Sequence, residues 1–214
     1  MRPVIHFTDT TDGSFALLEL PETLGRRRRA VTELPVTWLS QVHGTGVVDV
    51  LRPGDAAGES ADAAVTAVRG AALSVITADC APVLLASDHA VAAVHAGWRG
   101  LVAGVVGDAV RALAKHGDGP VRAWLGPCIR ARCYEFGADD LDTVATSLGD
   151  GVRARTAWGT PALDVSVAVR TALGEAGVVD LVDTGVCTAC SPAHFSHRAR
   201  GDLGRQAAFV WLED

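Results

Sequence analysis

The sequence has no excess of basic residues and few aromatic ones. Of its 214 residues, 19 are Lys or Arg and 25 are Asp or Glu, which gives a formal net charge of −6. Proteins that bind nucleic acids or anionic membranes through charge are normally basic, so this balance argues against both kinds of partner. Aromatic residues make up only 5% of the chain but hydrophobic residues 49%. We therefore expect a large core built mainly from Ala, Val and Leu.

Long apolar runs are also missing. Arg69, Asp79 and Asp88 interrupt the apolar segments before any of them reaches the ~20 residues that a membrane span needs. The first residues lack the apolar stretch of a secretory signal. Five cysteines, an odd and widely spaced set, indicate reduced thiols and not a disulfide framework. These features predict a cytoplasmic protein that is a monomer or a small homo-oligomer.

The segment pattern predicts one domain over residues 1–214, of mixed α/β class, in which a largely antiparallel sheet packs with helices. Residues 54–60 are expected to form a flexible loop, and the four arginines at 26–29 a solvated helix or loop. Residues 87–89 suit a tight hairpin turn. Because no GxGxxG motif follows a strand, the pattern argues against a dinucleotide-binding fold. Strands are predicted at 36–39, 46–50, 71–77, 83–86, 91–94, 122–125, 179–183 and 207–212.

Two helices are predicted from periodicity. The clearer one covers residues 101–116, where Leu, Val and Ala recur on one face opposite charged residues. Gly117 is a suitable C-terminal stop for this helix. The second covers about 166–175, with Asp164 as its N-cap and a stop near Gly177.

Three residues offer donor atoms for a metal ion. Cys80 follows a predicted strand in TADCAPV, His95 ends another in HAGWRG, and His43 lies in the glycine-flanked turn QVHGTG. Two imidazoles and one thiolate suit Zn²⁺, and three protein ligands leave a fourth position for water. The three residues form no local ligand motif, however, and by spacing alone each histidine is more often a core or turn residue.

The sequence around these residues resembles a known family. QVHG, TADCAPVLL and HAGWRG are followed by GPCIRARCYEFG at 126–137, by Cys187-Thr188, and by FSHR at 195–198. This series is similar to the laccase-domain or multicopper polyphenol oxidoreductase family, whose members are read as zinc-dependent purine nucleoside phosphorylases that also deaminate adenosine. The resemblance runs from His43 to the C-terminus. It implies a single α/β domain and a zinc ion held by His43, Cys80 and His95. The implied substrates are phosphate and a purine nucleoside such as adenosine, inosine or methylthioadenosine.

The chain departs from the family pattern near its start. The family has an arginine that reaches the site, whereas this chain has Thr10 at that position in Phe7-Thr-Asp-Thr. Phosphate is an anion that favours a guanidinium fork, so phosphorolysis is expected to weaken more than deamination unless Arg99 or Arg205 binds the phosphate. Near the C-terminus, the usual tyrosine and paired arginines appear as His197, Arg198 and Ala199.

Other residues near the motifs have a functional and a structural interpretation each. Arg99 precedes the predicted helix, where free N–H groups attract anions, and is a candidate for catalysis and for phosphate or purine contact, or it forms an ion pair. Asp79 and Asp62 are candidate proton carriers or orienting groups, or structural acids. Gln41 could bind a base edge or close a turn. Trp98 could stack on a purine or pack in the core.

The remaining cysteines and two alternative functions complete the predictions. Cys187 and Cys190 form C-x-x-C, and Cys128 and Cys133 form C-x₄-C, so the four could hold a structural zinc ion or the first pair could be redox-active. A non-enzymatic, zinc-stabilised interaction module would use these four residues. A copper-dependent phenol oxidase would need a further axial ligand, commonly Met, and the only methionine is Met1.

Overall fold

In the computed structural model, which describes residues 2–213, three β-sheets pack with six α-helices. The strands are β1 (Arg2–Phe7), β2 (Val36–Trp38), β3 (Val47–Asp49), β4 (Ala63–Thr66), β5 (Ala72–Thr77), β6 (Ala81–Ala86), β7 (Val91–Ala96), β8 (Arg122–Leu125), β9 (Arg153–Arg155), β10 (Pro161–Leu163), β11 (Asp180–Asp183) and β12 (Gln206–Glu213). The helices are α1 (Pro21–Val31), α2 (Trp98–Ala103), α3 (Val105–Ala114), α4 (Ala138–Leu148), α5 (Val165–Glu175) and α6 (His197–Arg200).

The largest sheet has six strands in the order β11-β8-β6-β7-β4-β3, and a second has four in the order β1-β12-β5-β2. Strands β9 and β10 form a separate pair. Among the described residues, six of the nine strand pairings are antiparallel and three are parallel. The predicted class, a mixed and largely antiparallel sheet packed with helices, is confirmed.

The central strands of the six-stranded sheet are buried on both faces. In β6, Ala81, Val83 and Leu85 pack towards the helices, whereas Leu84 and Ala86 pack with residues of the four-stranded sheet. Successive side chains of a strand point to opposite faces, so burial on both faces requires an unbroken apolar run. The sequence of β6, which has no polar residue, meets this requirement.

The predicted strands are confirmed to within two residues at each end, and residues 87–89 do connect β6 and β7. Asp164 caps α5 as predicted, since its side chain accepts the N–H groups of Ser166 and Val167. The single helix predicted over 101–116 is wrong. Gly104 has φ +96, a left-handed conformation that ends α2 before α3 begins, and glycine adopts it without steric cost. None of the helices within residues 2–213 combines the length and apolar character of a bilayer span.

Sheet register places three polar residues at one edge of the fold. Cys80 directly precedes β6, Asp62 directly precedes β4, and His95 lies one residue before the end of β7. His95 is paired with Pro82 of β6, and its backbone N–H donates to the carbonyl of Asp62 at 2.7 Å. Because β6, β7 and β4 are adjacent, the three side chains meet at the same edge.

Candidate active site

The structure brings His43, Cys80 and His95 together. Their donor atoms all lie within 4.8 Å of one another, and His43 Nε2 is 3.9 Å from Cys80 Sγ. The two imidazole rings meet edge to face, with centroids 4.8 Å apart. Two nitrogens and one sulfur at this separation fit a tetrahedral metal ion that keeps one position open. The predicted ligand set is therefore a candidate metal site in the folded chain.

Asp62 holds two of these donors in place. Its side chain is fully buried, and Oδ1 lies 2.8 Å from His95 Nδ1. The same carboxylate accepts the backbone N–H groups of His43 at 2.9 Å and Gly44 at 2.7 Å. His43 has φ +60, and these hydrogen bonds stabilise its left-handed turn. A carboxylate that bonds the second nitrogen of a ligating histidine fixes the orientation of the ring, which is the orienting role among those considered for Asp62.

Electrostatics within the cluster favour an anionic sulfur. Burial by itself raises the pKa of the Cys80 thiol, but hydrogen bonds and positive charge from His43 and His95 outweigh it and lower that pKa to about 6. Burial lowers the pKa of His95, whereas Asp62 and Cys80 raise it to about 9. The thiolate is the form of cysteine that binds a metal ion.

Gly97 of the HAGWRG motif packs directly against this cluster. A Cβ atom at this position would lie 2.8 Å from His43 Cδ2 and 3.5 Å from Cys80 Sγ. The first distance is shorter than a normal carbon–carbon contact. The glycine is therefore needed so that the backbone before α2 can approach His43.

A cavity of about 440 Å³ opens beside the donor atoms. Part of its wall is apolar, and its polar lining includes Gln41, His197 and Arg205 together with the three donors. From the sequence, Arg205 is expected only as a substitute phosphate contact, and His197 is noted only as a departure from the family. The signal for His197 is its place in the FSHR motif. The remaining wall consists of Ala16, Leu17, Leu18, Ile76, Thr77, Ala78 and Leu203.

Gln41 lines the cavity but uses its side-chain amide on the protein. Its Nε2 donates to the carbonyl of Ile76 at 2.7 Å, and its Oε1 accepts the N–H of Ile76 at 2.8 Å. Both ends of the amide are thus bound to the backbone of β5. Of the two roles considered for Gln41, this contact supports closing the turn, and binding of a base edge stays a prediction.

Asp79 anchors the C-terminal segment. Its carboxylate accepts the hydroxyls of Thr188 at 2.6 Å and Ser196 at 2.7 Å, and the backbone N–H of Arg198 at 2.7 Å. Asp79 is 7% exposed and has φ +99. The described lining of the cavity does not include Asp79. Its contacts instead position α6, which carries His197.

Arg99 and Trp98 lie on the first turn of α2. The Arg99 guanidinium stacks 4.3 Å from the centre of the Trp98 ring, and Trp98 meets Phe136 edge to face at 5.5 Å. Neither residue belongs to the described lining of the cavity. Trp98 therefore packs as a partly buried core residue, and the role of Arg99 in catalysis or substrate binding stays a prediction.

Comparison with known proteins places the chain in a family. The sequence model of the family described as multi-copper polyphenol oxidoreductase laccase matches residues 19–213. The chain belongs to this family. Purine nucleoside phosphorylase SCO2081 of Streptomyces coelicolor is 46% identical over 195 residues, covering 89% of this chain and 80% of that protein. Purine nucleoside phosphorylase PA4543 of Pseudomonas aeruginosa is 37% identical over 208 residues, covering 91% and 82%.

Solved structures confirm the fold of this laccase-family chain. Neisseria meningitidis protein NMB0706, described as a DUF152 protein, aligns with a TM-score of 0.83 at 32% identity, covering 94% of this chain and 86% of the other. YlmD from Geobacillus stearothermophilus aligns with a TM-score of 0.85 at 26% identity, covering 99% and 92%. The resemblance stated from the motifs is thus confirmed.

Thr10, which is expected to stand in place of a family arginine, lies in a short 3₁₀ turn at residues Thr10–Asp12 that Asp9 caps. Its backbone N–H donates to the carbonyl of Ala193 at 2.9 Å, close in sequence to His197. Thr10 does not contribute to the described cavity lining, whereas Arg205 does. Of the two arginines expected to bind phosphate in its place, Arg205 lines the cavity and Arg99 is not part of the described lining.

Of the other four cysteines of this laccase-family chain, one lies in the core and three form a cluster. Cys128 is fully buried in the core, and burial raises the pKa of its thiol to about 12. Cys133, Cys187 and Cys190 group together. Burial by itself raises the pKa of Cys187, but hydrogen bonds from the backbone of Arg130, Cys190 and Ala189 contribute to a net lowering. The predicted four-cysteine set is thus corrected to three, because Cys128 packs in the core.

Proposed function

We propose that this chain is a zinc-dependent enzyme that cleaves purine nucleosides with phosphate and also deaminates adenosine. The observation that carries the proposal is the convergence of His43, Cys80 and His95 in the lining of a cavity that also presents His197 and Arg205. The donor set fits zinc, and the names of the relatives support a purine nucleoside phosphorylase. When bound, the metal supplies Lewis-acid chemistry to a water molecule or a substrate oxygen.

Phosphorolysis needs a group that holds phosphate and a group that supplies a proton. We assign the first role to the Arg205 guanidinium. Its Nη1 donates to the carbonyls of Asp202 at 3.1 Å and Gly204 at 2.8 Å, and its Nε and Nη2 can pair with phosphate oxygens. A phosphate oxygen attacks C1′ of the ribose, and the bond from C1′ to the purine nitrogen breaks. The electron pair stays on the purine, which takes a proton. We assign the donation of this proton to the His197 imidazole, which lines the cavity. Asp79 acts on this step as a positioning residue through its contacts with Ser196 and the backbone of Arg198.

The apolar part of the cavity suits the flat purine ring. Leu17, Leu18, Ile76 and Leu203 contribute to its lining, and Leu18 and Leu203 are 84% and 69% exposed. A bound purine would remove apolar surface from water, which favours binding by about 25 cal/mol for each Å² covered. The base is thus expected against these side chains and the ribose near the polar donors.

Deamination requires fewer functional groups from the chain than phosphorolysis does. Water replaces the amino group at C6 of adenosine, giving inosine and ammonia, and a proton must move from the water to the leaving nitrogen. His197 can carry this proton, and no phosphate is bound in this reaction. A residue that serves only phosphate binding therefore affects one reaction and not the other.

A paired assay on adenosine tests the proposal. Adenine release with phosphate measures phosphorolysis, and inosine release without phosphate measures deamination. In Arg205→Ala, phosphorolysis should fall by about 30- to 1,000-fold, because losing one contact to a desolvated anion costs ~2–4 kcal/mol, while deamination stays nearly unchanged. The control is Arg170→Ala, which removes an arginine outside the described cavity lining.

Some outcomes would overturn this assignment. Equal loss of both reactions in Arg205→Ala would contradict its role in phosphate binding. Oxygen uptake with a phenol by copper-loaded protein, without any nucleoside cleavage by zinc-loaded protein, would favour the copper oxidase that the family description names.

The zinc content of Cys80→Ser tests the proposed ligand set. Zinc is measured by elemental analysis of protein kept under reducing conditions, as in the cytoplasm, and loss of zinc in this variant supports the set. Undiminished zinc in that variant contradicts it.

A further inference from the structure

Three cysteine sulfurs that the proposed reaction does not use converge outside the cavity. Cys133 ends a short 3₁₀ turn at Ala131–Cys133, and Cys187 and Cys190 form the C-x-x-C motif between β11 and α6. The three sulfur atoms lie within 4.8 Å of one another, and Cys133 Sγ is 3.1 Å from Cys190 Sγ. Two segments more than fifty residues apart in sequence thus bring three thiols to one point.

The C-x-x-C turn is shaped to present both of its sulfurs together. The backbone N–H groups of Cys190 and Ser191 both donate to the carbonyl of Cys187, at 3.2 and 2.9 Å, and close the turn. The sulfurs of Cys187 and Cys190 thus lie within 4.8 Å of each other at the end of one turn.

A positive charge lies beside the same turn. The Arg200 guanidinium donates to the carbonyl of Ala189 at 3.2 Å and to that of Thr188 at 3.4 Å. Three thiolates around a divalent cation carry one net negative charge, and the nearby Arg200 guanidinium, which also pairs with Asp202 at 3.0 Å, adds a positive charge on this side. Cys190 is exposed, and Cys133 and Cys187 are half-buried, so an ion can reach the sulfurs from solvent.

We propose that Cys133, Cys187 and Cys190 bind a second zinc ion, separate from the one proposed at His43, Cys80 and His95. Thiolates are preferred zinc ligands, and three of them leave the fourth tetrahedral position to water or another small ligand. A disulfide between Cys133 and Cys190 is the alternative to zinc binding. It would form if the two sulfur atoms moved closer, to about 2.05 Å. The zinc site accounts for all three sulfurs, whereas the disulfide leaves Cys187 unused.

The proposed ion would connect the Cys133 turn to the segment that Asp79 anchors. Thr188, between the two cysteines of the motif, donates its hydroxyl to Asp79 at 2.6 Å. Asp79 directly precedes Cys80 in the sequence and also holds Ser196. The second ion would thus be a structural crosslink that holds the C-terminal segment against the body of the protein. Its presence does not depend on the nucleoside chemistry proposed above.

Metal content of the full chain tests the proposal. Protein purified with zinc under reducing conditions and measured by native mass spectrometry should carry two zinc ions. Cys190→Ser and Cys133→Ser should each carry one, and His95→Ala should also carry one. The control is Cys128→Ala, which removes a core thiol that does not join the cluster and should keep two. A wild-type chain with one zinc that His95→Ala loses completely would overturn the proposal.

A second measurement needs no substitution in the cluster and so does not depend on how the variants fold. Wild-type protein is treated with a maleimide, with zinc bound or after chelation, and the modified peptides are identified by mass. Zinc should protect Cys133, Cys187 and Cys190 together, and chelation should expose them together. Equal labelling of all three with and without zinc contradicts the site. So does a Cys133–Cys190 disulfide in protein that still binds zinc only through the His43, Cys80 and His95 set.

Discussion

The two groups of metal donors are held in different ways. Cys80 and His95 lie at one edge of the six-stranded sheet, His43 lies in a turn beside it, and the fully buried Asp62 binds both histidines. Cys133, Cys187 and Cys190 come from turns, and their partners are backbone groups and surface charges. Donors at strand ends, or in a turn that a buried carboxylate holds, form a more rigid site than donors on turns without such support. This contrast supports the roles proposed above, which are chemistry for the first group and crosslinking for the second.

Asp62→Ala should weaken metal binding by His43, Cys80 and His95 and leave metal binding by the three clustered cysteines unchanged. The variant removes the partner of His95 Nδ1 and the acceptor of the His43 and Gly44 N–H groups. Loss of such a supporting group typically lowers metal affinity by roughly 10–100-fold. Competition with a chelator, followed by mass spectrometry, should show weak binding at one site only. A control is Asp180→Ala, which removes an exposed carboxylate. Unchanged affinity in Asp62→Ala would contradict the orienting role.

Gly97→Ala should perturb the first group through packing alone. Its new Cβ would lie 2.8 Å from His43 Cδ2, and overpacking of this kind costs roughly 1–3 kcal/mol in the free energy of unfolding. Gly137→Ala is a matched control, since Gly97 and Gly137 are both helix N-caps with similar φ and ψ angles, and a Cβ at Gly137 meets nothing within 4 Å. Denaturant unfolding and zinc titration of both variants should separate them. Equal behaviour would show that His43 adapts without cost.

The Arg130–Asp183 ion pair offers a pH test near the second group. Arg130 binds Asp183 through two nitrogens at 2.9 and 2.5 Å. Burial by itself raises the pKa of Asp183, but hydrogen bonds from Arg130 and Gly185 outweigh it and lower that pKa. A carboxyl whose folded pKa is lowered stabilises the fold above its unfolded pKa, and this stability is lost as the pH falls through the folded pKa.

The corresponding variant is Asp183→Asn. At neutral pH it should lower the free energy of unfolding by about 1 kcal/mol, and the difference from wild type should shrink on acidification below pH ~4. Urea unfolding over a pH series measures this. A difference that stays constant with pH would show that the stabilisation does not come from the charge of Asp183.

Thr10→Arg is expected to have a modest effect that is confined to one of the two reactions. The substitution adds a guanidinium near the segment that carries His197, where the resemblance implies an arginine, but Arg205 already lines the cavity. Phosphorolysis should rise by up to about tenfold, equivalent to ~1.4 kcal/mol, and deamination should stay nearly the same. The paired adenosine assay measures both. If wild-type protein already cleaves adenosine efficiently at millimolar phosphate, the idea that Thr10 weakens phosphorolysis is wrong.

The sequence predicts the donors better than it predicts their supports. His43, Cys80 and His95 stand in distinctive motifs, so the resemblance identifies them directly. The orienting role of Asp62 depends on the pairing of β4 with β7, which joins residues about thirty positions apart and leaves no local pattern. The sequence does not predict the helix break at Gly104 for another reason, because the apolar stripe continues through both α2 and α3. Periodicity reports which face is buried, and it does not report a left-handed residue within the stripe.

The contact between Gln41 and Ile76 has a consequence for how the chain leaves the sheet. Strand β2 pairs with β5 only as far as Trp38 and Ser74, after which the main chain turns away to carry His43. The Gln41 amide supplies the donor and the acceptor that a continuing strand would have offered to Ile76. A glutamate at this position would lack the donor, and an asparagine is one methylene shorter. One side chain thus takes the place of a missing length of backbone, and the loop can depart from the sheet without leaving the peptide groups of Ile76 unpaired.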